Sequence, residues 1–392
     1  MQTRVAIIGA GPAGLMLAHL LSREGVESIV IESRTREYVE HRVRAGVLEQ
    51  GSVDLLDATG AGERMRREGL VHRGIQLRFG GSDHRIDFGE LTGGRAITVY
   101  GQQELVKDLI AIRLAADLPL VFEVGDVQLH DINSEHPSVS YTVHGARTTI
   151  ECDVIAGCDG FHGVSRDSIP AGVLTTYERE YPFAWLGILA AVAPSSEELI
   201  YCYHERGFAL LSMRSPSVSR LYLQVPADER IDAWPDTRIW EELQTRLASD
   251  DWALTEGPVI EKGISAMRSF VVEPMQYGRL FLSGDAAHIV PPTGAKGMNL
   301  ALRDVSTLAQ ALTVFFTTGD VRLLDDYSAG CLRRVWRAQH FSWWMTSMLH
   351  RFPDSDAYQT QLQLAQLAYT VDSRAAATSL AENYVGYEWA TT

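Results

Sequence analysis

Residues 4–8 (Arg-Val-Ala-Ile-Ile) form an apolar run that stops at a glycine, the pattern of a buried parallel strand. From Pro12 to Arg23 apolar residues recur on one helical face, with Leu15, Ala18 and Leu21 in line and Gly25 as the stop. Residues 26–32 return to a strand pattern, so a βαβ unit is complete within the first 32 residues. Further short strands are predicted at 119–124, 138–144, 151–156 and 278–283. Runs near 184–192, 198–203, 207–213 and 220–225 alternate apolar with polar and have no helix between them. They predict an antiparallel sheet with one wetter face. From Met298 to about residue 380 the pattern is helical and rich in Leu, Ala and Trp. No long Gly/Ser/Pro linker separates these regions, so the domains are expected to interleave along the chain.

The turn between the first strand and helix reads Gly9-Ala10-Gly11-Pro12-Ala13-Gly14. Gly9 suits a tight turn, Gly11 lets backbone approach a pyrophosphate, and Gly14 allows close helix–strand packing. Phosphates would then meet free N–H groups at the helix N-terminus. Glu32, at the end of the second strand, is placed to accept hydrogen bonds from ribose hydroxyls. The competing reading is a tight glycine turn with no ligand.

Composition narrows the partners. The 392 residues are 46% hydrophobic and 22% charged, ordinary for a soluble globular chain of two to three domains. Thirty-five Lys+Arg against 50 Asp+Glu give a net charge of −15, which repels nucleic acid and anionic membrane surfaces. An anionic substrate would therefore need a local arginine cluster. Cys152, Cys158, Cys202 and Cys331 have neither C-x-x-C nor zinc-ligand spacing, so no metal site is expected. No apolar run approaches the roughly 18 residues of a membrane span, and no signal peptide is visible. A cytoplasmic location is expected.

Two more acids follow strands. Asp159 lies in Cys158-Asp-Gly-Phe-His162-Gly-Val-Ser-Arg166, and Asp285 in Arg279-Leu-Phe-Leu-Ser-Gly-Asp285-Ala-Ala-His288, followed by Pro291-Pro292-Thr293-Gly294. Singly, each acid is as readily a helix cap as a ligand contact. Together with the N-terminal glycines they resemble the three fingerprints of the FAD-dependent aromatic hydroxylases. Five further regions extend the resemblance: Arg42 to Gly51, Tyr201 with Arg206 to Arg214 and Tyr222, Arg268 to Met275, Pro291 to Gly297, and Ala381 to Gly386. These are similar to the branch of the family that acts on 4-hydroxybenzoate, and the match runs from residue 4 to about 387.

The resemblance implies a fold of α/β class with α+β character. It comprises a Rossmann-like FAD-binding domain from discontinuous segments (1–72, 96–180 and 268–320), an antiparallel substrate-binding sheet (73–95 and 181–267) and a helical C-terminal region (321–392). That last region is the expected homodimer contact. FAD, bound tightly and non-covalently, would contact Gly9, Gly11, Ala13, Gly14, Glu32, Arg42, Arg44, Gln102, Asp159 and Asp285. Lys296, Gly297, Met298 and Asn299 open a helix whose N-terminus would stabilise charge on the reduced ring. Arg214 would fork a substrate carboxylate, with Ser212 and Tyr222 on its strand face and Thr293 nearby. The same trio could equally be the solvated face of a strand. Tyr201 would take the phenol proton and pass it to Tyr384, with His72 as outlet and the Pro292 carbonyl on the phenol oxygen.

The implied reaction is hydroxylation of 4-hydroxybenzoate to 3,4-dihydroxybenzoate with NADPH or NADH and O2, through a flavin C4a-hydroperoxide. No second strand–G-x-G-x-x-G–helix unit is present, so the nicotinamide would bind transiently over Arg34, Tyr38, Arg42, Arg44, His162, Arg166 and Arg268. Ser33 stands where an arginine would suit a 2′-phosphate, and Glu37 and Glu40 add negative charge, so the choice between NADH and NADPH stays open. Two rivals remain: action on another para-substituted benzoate, and a flavin-binding sensor without turnover.

Overall fold

The computed structural model describes residues 1–387 except Val43, Ala45 and Asp251; positions 388–392, the end of the expected C-terminal region, lie outside the described residues. Val5–Ile8 is fully buried and pairs in parallel with Ser28–Ile31 on one side and Val154–Gly157 on the other. Such burial on both faces is why the run lacks polar alternation. Leu120–Val121 and Leu280–Leu282 extend the sheet in parallel, and Gln276–Tyr277 closes one edge antiparallel, giving six strands. The helix Pro12–Arg23 packs against this sheet and against the long helix Gly297–Thr318.

A second sheet has eight strands in the order His288–Ile289, Val259–Glu273, Thr175–Ala190, Val218–Pro226, Ala209–Ser215, Ile200–Cys202, Gly74–Phe79, Ser82–Asp87. Every pairing in it is antiparallel except that of Ile200–Cys202 with Gly74–Phe79. Two three-stranded sheets flank these, and one of them carries His72 on the strand Leu70–His72. The chain is thus mixed α/β with its helices concentrated at the C-terminal end. Thr175–Ala190 begins well before the run expected at 184–192, because its first six residues are exposed and carry no apolar stripe. The helices Tyr327–Leu349 and Arg374–Val385 pack on the face of the eight-stranded sheet that carries Tyr201, and Tyr384 lies in the last turn of the second. All four cysteines are free and buried. No helix of the described residues is long and apolar enough to cross a membrane.

Candidate active site

Gly9 has φ +103°, and a Cβ there would meet the Cys158 carbonyl oxygen at 2.4 Å. A Cβ on Gly14 would meet the Gly9 carbonyl oxygen at 2.0 Å, so this glycine permits the helix to sit on the strand. Gly11 differs: nothing lies within 4 Å of a Cβ there, and the helix that follows has no side-chain cap. Unpartnered first-turn N–H groups beside open space suit a phosphate. The Glu32 carboxylate accepts from the Ala10 N–H at 2.8 Å and from the Arg34 N–H at 2.8 Å, tying the strand end to the glycine turn. Gly297 repeats this arrangement, with open space around a Cβ and no side-chain cap on its helix.

The other expected cofactor residues divide by what their side chains already do. Asp285 opens to solvent, yet surrounding protein raises its carboxyl pKa against the pull of His288, Arg44 and Arg42. Asp159 accepts from the Ser165 N–H and hydroxyl, each at 2.9 Å, and its other carboxylate oxygen is buried without a partner. Lys296 donates to Glu49 at 2.5 Å and to the Tyr384 carbonyl at 3.0 Å. Asn299 is likewise spent, bonding the Val47 and Ala295 carbonyls, the Glu49 N–H and the Ser52 hydroxyl. Both residues retain only backbone for a cofactor. Met298 is partly buried on the same helix, Gln102 opens the helix Gln102–Ala115, and Ala13 is buried at the start of Pro12–Arg23. Two open helix N-termini, a glycine turn with room for phosphate and an unpartnered buried carboxylate oxygen fit FAD.

The residues expected for the nicotinamide form two groups. Arg34 and Arg42 both lie over the exposed Tyr38 ring, at 5.4 and 5.9 Å, and Arg44 is close enough to Arg42 and Asp285 to feel both. Elsewhere Arg166 and Arg268 stack on Phe161 at 4.8 and 4.7 Å, and His162 meets the same ring edge-on. Arg166 also donates to the Phe161 and Ala286 carbonyls, so part of its fork is structural.

The eight-stranded sheet assembles the substrate residues. Tyr201 pairs with Leu210, Leu210 with Tyr222, and Tyr222 with Gly187, one row running across four strands. Tyr201 and Tyr222 are therefore two strands apart, about 9–10 Å at ordinary strand spacing. Ser212 faces Arg220 in the next row, and the register shifts between Met213 and Ser215. Arg214 lies at this irregularity, two residues beyond Ser212 on the same strand. Its guanidinium donates to the Met213 carbonyl at 3.1 Å and the Arg44 carbonyl at 3.3 Å, while its Nε is buried without a partner.

Arg220 joins the site although nothing in the motif reading singled it out. Its guanidinium lies 5.1 Å from the Tyr222 ring centre, and its Nε and Nη1 are buried and unpartnered. Burial pushes the Tyr222 phenol up, but Arg214 and Arg220 outweigh it and bring the pKa below its ordinary value. Among the described residues no carboxylate forms an ion pair with either arginine. Two half-buried arginines with buried, unpartnered nitrogens and no anion carry a desolvation cost that a bound carboxylate would offset.

At the other end of the row the Tyr201 and Tyr384 hydroxyls meet at 2.5 Å, both buried. Burial and the neighbouring phenol hold Tyr201 well above the usual tyrosine range, and burial raises Tyr384 as well. His72 is buried, its pKa pushed down to about 4 by desolvation despite Glu198. It has no hydrogen bond to either tyrosine among the described residues, and its Nδ1 is unpartnered. Pro292 is exposed, and its carbonyl accepts from the Ala295 N–H at 2.9 Å. Thr293 turns its hydroxyl to Thr346 at 2.9 Å, leaving only backbone towards the site.

An open dinucleotide cradle beside a sheet face that carries two arginines and a pair of phenols suits a flavin-dependent enzyme for an aromatic substrate. Residues 2–342 match the family described as FAD binding domain, and the chain belongs to it, as an FAD-dependent aromatic hydroxylase. A p-hydroxybenzoate hydroxylase of Acinetobacter baylyi is 51% identical over 387 residues, covering 98% of this chain and 96% of that protein. Among solved structures, p-nitrophenol 4-monooxygenase from Pseudomonas putida superposes with TM-score 0.85 at 18% identity, covering 99% of this chain and 100% of the other. PqsL of P. aeruginosa, in complex with 2-aminobenzoylacetate, has TM-score 0.72 at 20% identity, covering 97% and 99%. These two likenesses concern the fold.

Proposed function

We propose that the protein hydroxylates 4-hydroxybenzoate at the carbon beside its hydroxyl, giving 3,4-dihydroxybenzoate. One oxygen atom of O2 enters the ring, and the other leaves as water with two electrons from NAD(P)H and two protons. The carrying observation is the pair of unlike poles two strands apart on one face: Arg214 with Arg220, and Tyr201 with Tyr384. Bound FAD supplies the redox chemistry, accepting a hydride from NAD(P)H and, once reduced, activating O2.

The chain's own residues do the rest. Arg214 takes the carboxylate through its guanidinium, Arg220 and Tyr222 complete that pole, and Ser212 borders it. Tyr201 accepts the hydrogen of the substrate phenol and donates its own to Tyr384, which makes the ring electron-rich where oxygen enters. His72, neutral and buried, is the outlet this reading assigns, reached through water. Lys296 fixes the Tyr384 end of its helix by bonding the Tyr384 carbonyl. The Tyr38 arginines and the Phe161 arginines form the proposed landing for the nicotinamide, and either NADH or NADPH satisfies it.

The reading includes the interleaved domain division, because the six-stranded sheet draws strands from residues 5–31, 120–121, 154–157 and 276–282. It also includes a cytoplasmic location and a homodimer. Trp336 and Trp343, 40% and 41% exposed, flank a groove of about 440 Å³ on the helix Tyr327–Leu349, a face apolar enough to be covered. Light scattering of the wild type and Trp343→Glu tests the dimer, which the glutamate should weaken.

Steady-state turnover with 4-hydroxybenzoate, 4-aminobenzoate and dihydroxybenzoates, with NADH and with NADPH, tests the reaction. Product formed in proportion to nicotinamide oxidised is expected for 4-hydroxybenzoate. Preferential turnover of another benzoate would transfer the reading to that acid, and absence of turnover would favour a sensor.

A further inference from the structure

Beside the substrate row, on the same face of the sheet, several aromatic rings converge on a histidine that the reaction does not use. His350 closes the helix Tyr327–Leu349 and is completely buried. Its Nδ1 lies 3.1 Å from the Thr346 carbonyl oxygen, and its Nε2 lies 2.7 Å from the indole Nε1 of Trp185. Each partner has one possible role, since a carbonyl only accepts and an indole N–H only donates. The imidazole is therefore neutral, protonated on Nδ1, with a bare Nε2 held towards Trp185.

Both ends of the substrate row lean on this pair. The Trp185 ring meets Tyr222 at 4.9 Å between centroids and stacks on Phe208 at 5.2 Å. Phe208 stacks on His350 at 4.4 Å and reaches Tyr201 at 6.1 Å. A single imidazole thus supports the carboxylate pole through Trp185 and the phenol pole through Phe208. Thr346 and Gln363, which bonds the His350 carbonyl at 2.8 Å, fix the imidazole to the helices rather than to the sheet.

We infer that His350 is a positioning residue, which sets the separation of Tyr222 from Tyr201 by accepting the Trp185 N–H and stacking under Phe208. That separation decides which length of para-substituted acid reaches both poles at once, so His350 acts on substrate fit without touching substrate. The inference rests on the proposed reading of the site. A histidine that only caps a helix would, when replaced, weaken folding and every ligand alike.

The test compares His350→Phe, which keeps a ring but strands the Trp185 N–H, with His350→Gln, whose side-chain oxygen can still accept it. Substrate affinity is read from the flavin absorbance change on adding 4-hydroxybenzoate, FAD affinity from flavin fluorescence, and coupling from product per NAD(P)H. For His350→Phe, weaker 4-hydroxybenzoate binding by about tenfold or more is expected, with lower coupling and unchanged FAD affinity. His350→Gln should return within about threefold of wild type. Wild-type behaviour of His350→Phe, or equal damage in both variants, overturns the inference. If His350→Phe does not fold, Trp185→Phe removes the donor instead; it should weaken substrate binding with FAD affinity intact, and an unaltered affinity overturns the inference equally. A wild-type protein inactive on 4-hydroxybenzoate would remove the substrate reading and this inference with it. An active wild type with an indifferent His350→Phe removes only the inference.

Discussion

Tyr201 and Tyr384 lie 183 residues apart in the chain, yet their hydroxyls meet at 2.5 Å, both side chains buried. Neither phenol ionises readily there, because burial raises both. A hydrogen leaving a substrate on Tyr201 therefore has one exit, along the pair. Tyr201→Phe should still bind substrate and allow flavin reduction, but lower the hydroxylation rate on the order of a hundredfold, with the oxygen diverted to hydrogen peroxide. The ratio of dihydroxybenzoate to NAD(P)H consumed measures this. Full coupling in the variant would refute the relay.

Arg214→Lys replaces a fork by a point charge in a pole that already holds Arg220. Affinity for 4-hydroxybenzoate should drop on the order of ten- to a hundredfold while FAD content stays normal. Substrate titration of the purified holoenzyme decides it, and an unaltered dissociation constant would remove the carboxylate clamp.

Gly11 and Gly14 should fail in different ways. Gly11→Val projects into open space at an ordinary φ of −77°, so the chain should fold with the melting temperature of the wild-type apoprotein yet retain no flavin. Gly14→Ala drives a Cβ to 2.0 Å from the Gly9 carbonyl oxygen and should lower the melting temperature of the apoprotein itself. Flavin absorbance and thermal melts separate the two. A yellow Gly11→Val protein would place the phosphates elsewhere.

Two buried histidines make the fold sensitive to acid. His72 and His350 are pushed down to about 4 and about 3 by desolvation, from an ordinary 6.5. The unfolded chain takes up protons below pH 6.5 that the folded chain refuses. Stability is thus complete above that pH and lost as pH falls towards 4 and then 3, by roughly 3 kcal/mol for His72 alone. Thermal melts of wild type against a His72→Asn, His350→Gln double variant should show a flatter acid limb in the variant. Parallel curves would exclude these two rings as the cause.

The opening βαβ unit was legible because a parallel strand buried on both faces needs an unbroken apolar run, and the glycine turn needs its residues at fixed offsets. Val259–Glu273 was not, since its first half is half-exposed and carries Glu261, Lys262 and Gly263 without an apolar stripe. The Ser212, Arg214 and Tyr222 face is expected from alternation, but the register shift between Met213 and Ser215 belongs to pairing and not to local pattern. Arg220 reads as one more polar position of an alternating strand. Its signal was the even offset to Tyr222 together with the register that sets it opposite Ser212. The meeting of Tyr201 with Tyr384 joins a strand to a helix near the C-terminus, and no local periodicity in either names the other.

The buried cysteines give the enzyme a tolerance for its own errors. Burial lifts Cys152 and Cys202 to about 12 and raises Cys158 and Cys331 as well, so at neutral pH the chain exposes no thiolate. Peroxide attacks the thiolate and not the thiol. An oxygenase that leaks hydrogen peroxide at each misfire therefore carries nothing on sulfur for that leak to scar, and intact mass after prolonged uncoupled turnover should register unoxidised cysteine.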